Sequence, residues 1–290
     1  MRHLTARIYT AGSRALLAAA LVLPLLLSSC ASRQPGGPIQ PGFNMYSPQD
    51  DIELGQRASA QILQQVEVVN NRALQEYVAA VGQTLAQQPE AGSFPYKFTL
   101  ILDDTINAFA LPGGPVFIHT GLVKNSDNEA QLAGVLAHEI GHVALRHATN
   151  QASKAQIAQL PAVLAGVVIG DAGVAAQAAR LGLDVGLASI LLKYSRDAER
   201  QSDILGARLM SRAGYNPMEM ANFFEKLQAQ GGSRAPEFLS SHPDPGNRAQ
   251  AVNEEIAVMP KRNYGQGTGR FQQMRAEVER QPRPRRPRGS

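Results

Sequence analysis

His138-Glu139-Ile140-Gly141-His142 reads H-E-x-x-H and lies in an apolar segment, 132–143, of helical composition. On a helix, residues four apart share one face, so two imidazoles at this spacing can reach a single metal ion. The carboxylate of Glu139 is then close enough to take a proton from an attacking water. The pattern therefore predicts a zinc-peptidase centre in which His138 and His142 bind the metal and Glu139 is the catalytic base.

The alternative to a metal centre is a helix that carries histidines on its surface. Ser126 and Asp127 offer an N-cap for a helix over about 127–149, with Asn128 and Glu129 in its first turn. Its many apolar residues predict a largely buried helix: Ala130, Leu132, Ala133, Val135, Leu136, Ile140 and Val143. Because buried imidazoles and carboxylates need partners, and a metal ion supplies them, burial favours the metal centre.

The N-terminus is predicted to be a targeting segment. Three arginines precede an apolar run, 15–27, that is too short for a comfortable transmembrane helix. The following Leu27-Ser28-Ser29-Cys30 resembles the bacterial lipobox, which implies a signal peptide over 1–29 and acylation of Cys30. An ordinary secretory signal with an incidental cysteine is the alternative. No Asp follows Cys30, so the resemblance implies a lipid anchor in the bacterial outer membrane, facing the periplasm.

Cys30 is the only cysteine, so the sequence allows no intrachain disulfide and leaves histidines and carboxylates as metal ligands. The net charge of +4 is uneven, because 1–30 carries +3 and 261–290 carries +7. The region between them is therefore acidic, with −6. Together with export, this argues against nucleic acid as a partner.

The chain is predicted to contain a flexible tether, 30–46, a metallopeptidase domain, 47–260, and a disordered basic Pro/Arg-rich tail, 261–290. Within the domain, periodicity predicts helices over 50–68, 72–87, 193–213 and 217–230 and a last helix that ends near 259, with strands over 96–102, 107–110 and 116–120. Apolar stretches at 157–169 and 181–192 are either buried helices or a membrane-surface or client-binding hairpin.

A third metal ligand is expected well after His142, because catalytic zinc usually has three protein ligands. Glu199 and Asp203 are four apart in a helical segment and share one face. Glu199 can bind the metal while Asp203 holds the outer nitrogen of a ligand histidine. The alternative is a solvated helix face paired with Arg196 and Arg200, and charge pattern alone favours that alternative.

H-E-x-x-H, a distant E-x-x-x-D and a later Ser-His-Pro…Arg together resemble the HtpX / CaaX-prenyl-protease-type family of gluzincin metallopeptidases, especially its periplasmic lipoprotein members. The stretch 107–114 and the following Thr120-Gly121-Leu122 are similar to the strand-turn-strand that precedes the zinc helix in that family. The resemblance spans about 50–258. It implies an α+β, predominantly helical, zincin-like domain with a small sheet beside the H-E-x-x-H helix.

The same resemblance implies one Zn²⁺ per chain, held by His138, His142 and Glu199, with Glu139 as base. His242 and Arg248 are expected near the metal as catalytic residues, and His242 either stabilises the oxyanion or caps the metal as a resting-state ligand. A histidine that merely caps a loop is the alternative for His242. An extended substrate is expected to pair with an edge strand near 107–119.

The resulting function prediction is a zinc endopeptidase of the cell envelope whose partners are protein substrates, outer-membrane lipid and the outer-membrane assembly machinery. Misassembled outer-membrane proteins are the clients that the resemblance implies. Two alternatives remain: a lipoprotein chaperone or adaptor with a latent, His242-capped zinc site, and a polyanion-binding protein led by the basic tail.

Overall fold

The computed structural model describes residues 33–169, 194–230, 237–243, 247–265 and 267–284. The predicted signal peptide, Cys30 and the second apolar stretch, 181–192, lie outside the described residues. The elements below belong to one compact unit, Pro38–Ser290.

Two helices precede the sheet. Helix α1 (Pro48–Ile62) begins with a capping box, in which Ser47 and Asp50 each accept a hydrogen bond from the backbone N–H of the other. Helix α2 (Arg72–Ala86) begins at Asn71, whose side chain accepts from the backbone N–H of Leu74. The prediction that the first helix continues to residue 68 is wrong, because the chain turns after Ile62 and Val68 pairs with the end of the first strand.

Three short strands form one sheet: β1 (Lys97–Ile101), β2 (Ala108–Ala110) and β3 (Pro115–His119). Their order is β1-β3-β2; β1 runs parallel to β3, and β2 runs antiparallel to it. Each predicted strand is present with ends that differ by at most one residue. Strand β2 lies at an edge, so the edge near 107–119 that was predicted for substrate pairing is β2, whereas β3 is central.

Helix α3 (Thr120–Asn125) leads into the central helix α4 (Glu129–Ala144), which carries the H-E-x-x-H motif and is buried from Glu129 to Val143. Asn128, rather than Ser126 or Asp127, caps α4. The predicted single helix to residue 149 is also wrong. Arg146 has a φ of 56°, a left-handed conformation that costs a non-glycine residue about 1–2 kcal/mol, so α4 ends and α5 (His147–Ile169) starts in a new direction.

The remaining helices are α6 (Arg196–Ala213), α7 (Met218–Gln230), α8 (Glu237–Ser241), α9 (Arg248–Val258) and α10 (Phe271–Glu279). Ser195 caps the start of α6, and Gly214 ends it in the left-handed conformation, as its sequence predicts. Helices α4 and α6 cross closely, because a Cβ on Gly141 would lie only 3.0 Å from Ser202 Cα. This crossing brings the two predicted ligand segments together.

These elements make a mostly helical domain with a small three-stranded sheet beside α4, as the resemblance implied. The first apolar stretch, 157–169, forms the second half of α5. Across the described parts of the chain, no helix has both the length and the apolarity to cross a membrane.

The predicted flexible tether is wrong at its C-terminal end, because the chain just before α1 is bound along α5. Asn44 Nδ2 donates to Thr149 Oγ1 (2.8 Å), and the backbone N–H of Met45 donates to Ser153 Oγ (2.9 Å). These contacts fix the approach of the chain to α1.

The prediction of a disordered tail over 261–290 is also wrong for α10, which packs against α2 and α3. Phe271, Met274 and Val278 are buried at three- and four-residue spacing, a helical period that the basic composition obscured. The segment before α10 also binds the start of α4, since the backbone N–H and the hydroxyl of Thr268 donate to the buried carboxylate of Glu129.

Ending the chain at Met259 is therefore expected to lower the free energy of unfolding by several kcal/mol. Burial of each of the three apolar side chains of α10 contributes about 1.5–3 kcal/mol, and Glu129 would lose its bonds from Thr268. Chemical denaturation monitored by circular dichroism measures the loss. A chain that ends at Pro284, which removes only the last basic residues, is the control and should unfold like the full chain. Equal stability of all three chains would contradict a structural role for α10.

Candidate metal centre

Four buried side chains from three elements of the domain converge at the crossing of α4 and α6. One ligand atom from each of His138, His142, Glu199 and His242 lies within 4.8 Å of the others. His138 and His142 come from consecutive turns of α4, Glu199 from the first turn of α6, and His242 from the residues that follow α8. The structure thus brings together the three sequence-predicted metal ligands and His242, in an arrangement that can hold a metal ion.

The two histidines of α4 point their Nε2 atoms at each other, 3.0 Å apart. Glu199 faces both, with Oε2 3.3 Å from His138 Nε2 and Oε1 3.6 Å from His142 Nε2. Burial acts to raise the pKa of Glu199, but the surrounding histidines outweigh it and hold the pKa well below its ordinary value. The site therefore presents an anionic oxygen between two imidazole nitrogens.

Asp203 lies behind His138, one turn after Glu199 on α6. Its Oδ1 is 2.9 Å from His138 Nδ1. Burial acts to lower the pKa of His138, but the carboxylates of Asp203 and Glu199 outweigh it and raise the pKa to about 9. The geometry is the one expected of a carboxylate that orients a ligand histidine from outside the metal site.

Arg248, at the start of α9, binds Asp203 through two hydrogen bonds: Nε to Oδ2 (2.8 Å) and Nη2 to Oδ1 (2.6 Å). Its guanidinium carbon lies 3.9 Å from the centre of the Phe224 ring. The guanidinium is thus on the Asp203 side of His138. Arg248 was expected near the metal as a catalytic residue, and these contacts favour it as a residue that positions Asp203 and so acts through His138.

Glu139 is buried beside the cluster, with Oε1 3.3 Å from His242 Nε2. Burial is the main reason why the pKa of Glu139 lies above its ordinary value. Glu139 Oε1 and Glu199 Oε2 are buried without a hydrogen-bond partner among the described residues. Orphaned buried carboxylate oxygens are costly, and both point into the histidine cluster.

His242 is not a loop-capping residue on the surface. It is 3% exposed and its ring stacks on Phe238 of α8, with 4.6 Å between the ring centres. Its Nδ1 lies 3.2 Å from Glu199 Oε1 and 3.3 Å from His138 Nε2. The imidazole therefore completes the cluster with the other three groups.

The residues fit a divalent cation on the chemistry of their donors. The outer nitrogen of His138 is engaged by Asp203, and that of His142 by His147, which leaves two Nε2 atoms facing each other at 3.0 Å. At most one proton can lie between such a pair, whereas a cation satisfies both nitrogens and the orphaned carboxylate oxygens together. Two imidazoles and a carboxylate are a usual donor set for catalytic zinc.

Two residues of the site were missed by sequence reasoning. His147 Nδ1 lies 3.0 Å from His142 Nδ1, and the Tyr194 ring stacks on His142 with 4.0 Å between the ring centres. A signal for His147 was present, because it is one of only six histidines and follows the motif by five residues. A continuous helix, however, would place it away from His142. Nothing in the sequence singles out Tyr194.

A helical domain in which an H-E-x-x-H helix meets a glutamate from a second helix, beside a small sheet, belongs to the zincin class of metallopeptidases. The chain belongs to peptidase family M48, whose family model matches residues 72–256. This confirms the gluzincin resemblance. The matched region begins at α2 and ends in α9, so it includes every residue of the cluster.

Similar proteins occur in bacteria and in mitochondria. The chain is 33% identical over 220 residues to the beta-barrel assembly-enhancing protease of Escherichia coli (strain K12), a match that covers 72% of this chain and 45% of the relative. It is 34% identical over 166 residues to metalloprotease YcaL of the same organism, covering 56% and 63%, and 31% identical over 180 residues to mitochondrial metalloendopeptidase OMA1 of Schizosaccharomyces pombe, covering 61% and 52%. The chain spans about half the length of the curated relatives it matches.

Proposed function

We propose that this chain is a zinc-dependent endopeptidase of the bacterial cell envelope. The observation that carries the proposal is the convergence of His138, His142 and Glu199 with the carboxylate of Glu139 beside them, in a chain of family M48. The M48 metalloproteases are zinc-dependent, and the donors of the site fit zinc. His138, His142 and Glu199 are proposed as the ligands of one zinc ion.

When bound, zinc supplies a Lewis acid that polarises the scissile carbonyl and makes the attacking water more acidic. Glu139 accepts the proton of that water and delivers it to the leaving amine nitrogen. Burial raises the pKa of Glu139, which makes its carboxylate a stronger base and favours acceptance of the proton from water. Asp203 keeps His138 in the tautomer whose Nε2 carries a free lone pair for the metal, and Arg248 holds Asp203.

Strand β2 is proposed to bind the substrate backbone. It lies at the edge of the sheet and packs beside α4, close to the cluster. An extended peptide added to this edge would form main-chain hydrogen bonds, which give affinity with modest sequence preference. The polypeptide would then run past Glu139 and the metal ligands.

His242 is proposed as a fourth, resting-state ligand of the metal. Its Nδ1 lies as near to His138 and Glu199 as those groups lie to each other, so it could take the fourth coordination position that a substrate carbonyl needs. Catalysis then requires the His242 ring to withdraw. The withdrawn imidazole is proposed to donate a hydrogen bond to the developing oxyanion. The chaperone or adaptor alternative is not favoured, because every group that catalysis needs is present.

The location in the cell envelope and the protein substrates are part of the proposal. The predicted signal peptide, 1–29, and lipid on Cys30 support an outer-membrane anchor that faces the periplasm. The name of the Escherichia coli relative couples a protease to β-barrel assembly. Misassembled outer-membrane proteins are therefore the proposed substrates, and the assembly machinery is a proposed partner.

Removal of the metal tests the proposed activity. The full-length chain is expected to digest casein, to lose at least about 100-fold in rate after dialysis against a chelator, and to recover when one equivalent of zinc is returned. Calcium added to the chelated protein is the control, because it prefers oxygen ligands and should not restore the rate. Casein digestion that survives complete metal removal would refute the proposal.

A further inference from the structure

His147 lies directly behind the ligand His142. Its Nδ1 is 3.0 Å from His142 Nδ1, and its Nε2 is 3.1 Å from Gln201 Oε1. His147 is only 5% exposed, and Ser202 Oγ lies 3.4 Å from the same Nδ1. The side chains of His142, His147 and Gln201 thus form a hydrogen-bonded line that leads from the metal site to α6.

The backbone break at Arg146 makes this line possible. Five residues along a continuous α-helix turn the side chain by about 140° from the starting face, so His147 would point away from His142. The left-handed Arg146 redirects the chain and returns the His147 ring to the cluster. Arg146 is held in place by Asp51 Oδ2, 2.5 Å from its Nε, and by the backbone carbonyl of Tyr46, 2.6 Å from its Nη2.

The direction of the hydrogen bonds along the line decides whether His142 can bind a metal. A neutral imidazole has one donor and one acceptor nitrogen. If Gln201 Oε1 accepts from His147 Nε2–H, then His147 Nδ1 is an acceptor and receives the proton of His142 Nδ1. His142 Nε2 is then an open lone pair that faces the metal position. With the opposite direction, His142 Nε2 would carry the proton and could not be a ligand.

We propose that His147, oriented by Gln201, is the positioning residue that holds His142 in its metal-binding tautomer. The inference rests on the proposed zinc-peptidase function and deepens it. The site then supports its two histidines differently: a carboxylate paired with Arg248 holds His138, and a neutral imidazole holds His142. A neutral support adds no further negative charge near the metal, which preserves its power as a Lewis acid.

Zinc affinity of full-length variants, measured by competition with a chromophoric chelator, tests the inference. His147→Leu removes the acceptor and is expected to raise the zinc Kd about 10- to 100-fold, the usual effect of losing an outer support. His147→Asn places an amide oxygen near the lost Nδ1 and should restore most of the affinity. In ¹⁵N-histidine spectra of the metal-free chains, His142 should be the Nδ1–H tautomer in the wild type and a tautomer mixture in His147→Leu.

His119→Leu is the matched control, because His119 is also 5% exposed but hydrogen bonds to Thr105 outside the cluster; its zinc Kd should be that of the wild type. Wild-type affinity in His147→Leu, or equal losses in His147→Leu and His147→Asn, would overturn the inference alone. A wild-type chain that binds no zinc would overturn the proposed function as well. If His147→Leu does not fold, Gln201→Leu decides: a raised zinc Kd supports the inference and an unchanged one contradicts it.

Discussion

Glu139→Gln is expected to lower kcat/KM for casein about 10²- to 10⁴-fold, the contribution of a positioned general base. Glu139 is 1% exposed, and its Oε1 is 3.3 Å from His242 Nε2 at the edge of the metal cluster. Glutamine has nearly the same shape, but its amide cannot accept the proton of the attacking water. The loss should therefore fall on kcat, with KM little changed.

The zinc content of Glu139→Gln separates loss of the base from loss of the site. It should remain at one ion per chain, because Glu139 is not among the four converging ligand groups. Digestion at the wild-type rate would show that the mechanism is wrong and would return attention to the adaptor alternative. Loss of zinc from Glu139→Gln would instead indicate that Glu139 is a metal ligand.

Glu199→Gln is expected to weaken zinc binding by more than about 100-fold, beyond the range for residues outside the metal site. Glu199 supplies the anionic oxygens of the cluster and faces both histidines of α4. The amide keeps the volume but removes the charge that offsets the cation. Metal analysis after gel filtration should find about one zinc per wild-type chain and almost none in the variant.

Glu255→Gln provides a matched control for the charge change. Glu255 is buried in an ion pair with Arg208, on the same two helices, α6 and α9, but outside the cluster. The Glu255→Gln variant should keep the zinc content of the wild type even if the substitution lowers the stability of the fold. If Glu199→Gln retained stoichiometric zinc, the third ligand would have to be another residue.

The local features of the fold were predictable because they depend on short-range chemistry. Alternating residues in the first strand, and a Pro-Gly-Gly-Pro turn between the other two, placed all three strands within one residue of their observed ends. Spacing along a helix placed His138 with His142, and Glu199 with Asp203. Gly214 ended α6 because only a left-handed residue completes that cap easily.

The errors arose where distant contacts override local preference. Helix α4 was predicted to continue through Arg146, whose left-handed backbone is held by Asp51, nearly a hundred residues earlier in the chain. The chain before α1 seemed a free tether until its hydrogen bonds to α5 were known. Basic composition hid the apolar face of α10, which becomes buried where the helix packs against α2 and α3.

By itself, the sequence determined the H-E-x-x-H helix through residue type and periodic spacing, which are properties of single elements. The later glutamate ligand and the α+β class were implied by the family resemblance of its motifs. The tertiary structure alone decided how those groups act on one another. It placed Arg248 behind Asp203, His242 against Glu199, and His147 behind His142. Those assignments depend on distances of a few ångströms between residues far apart in the chain or separated by a helix break, and such distances are set by packing rather than by spacing.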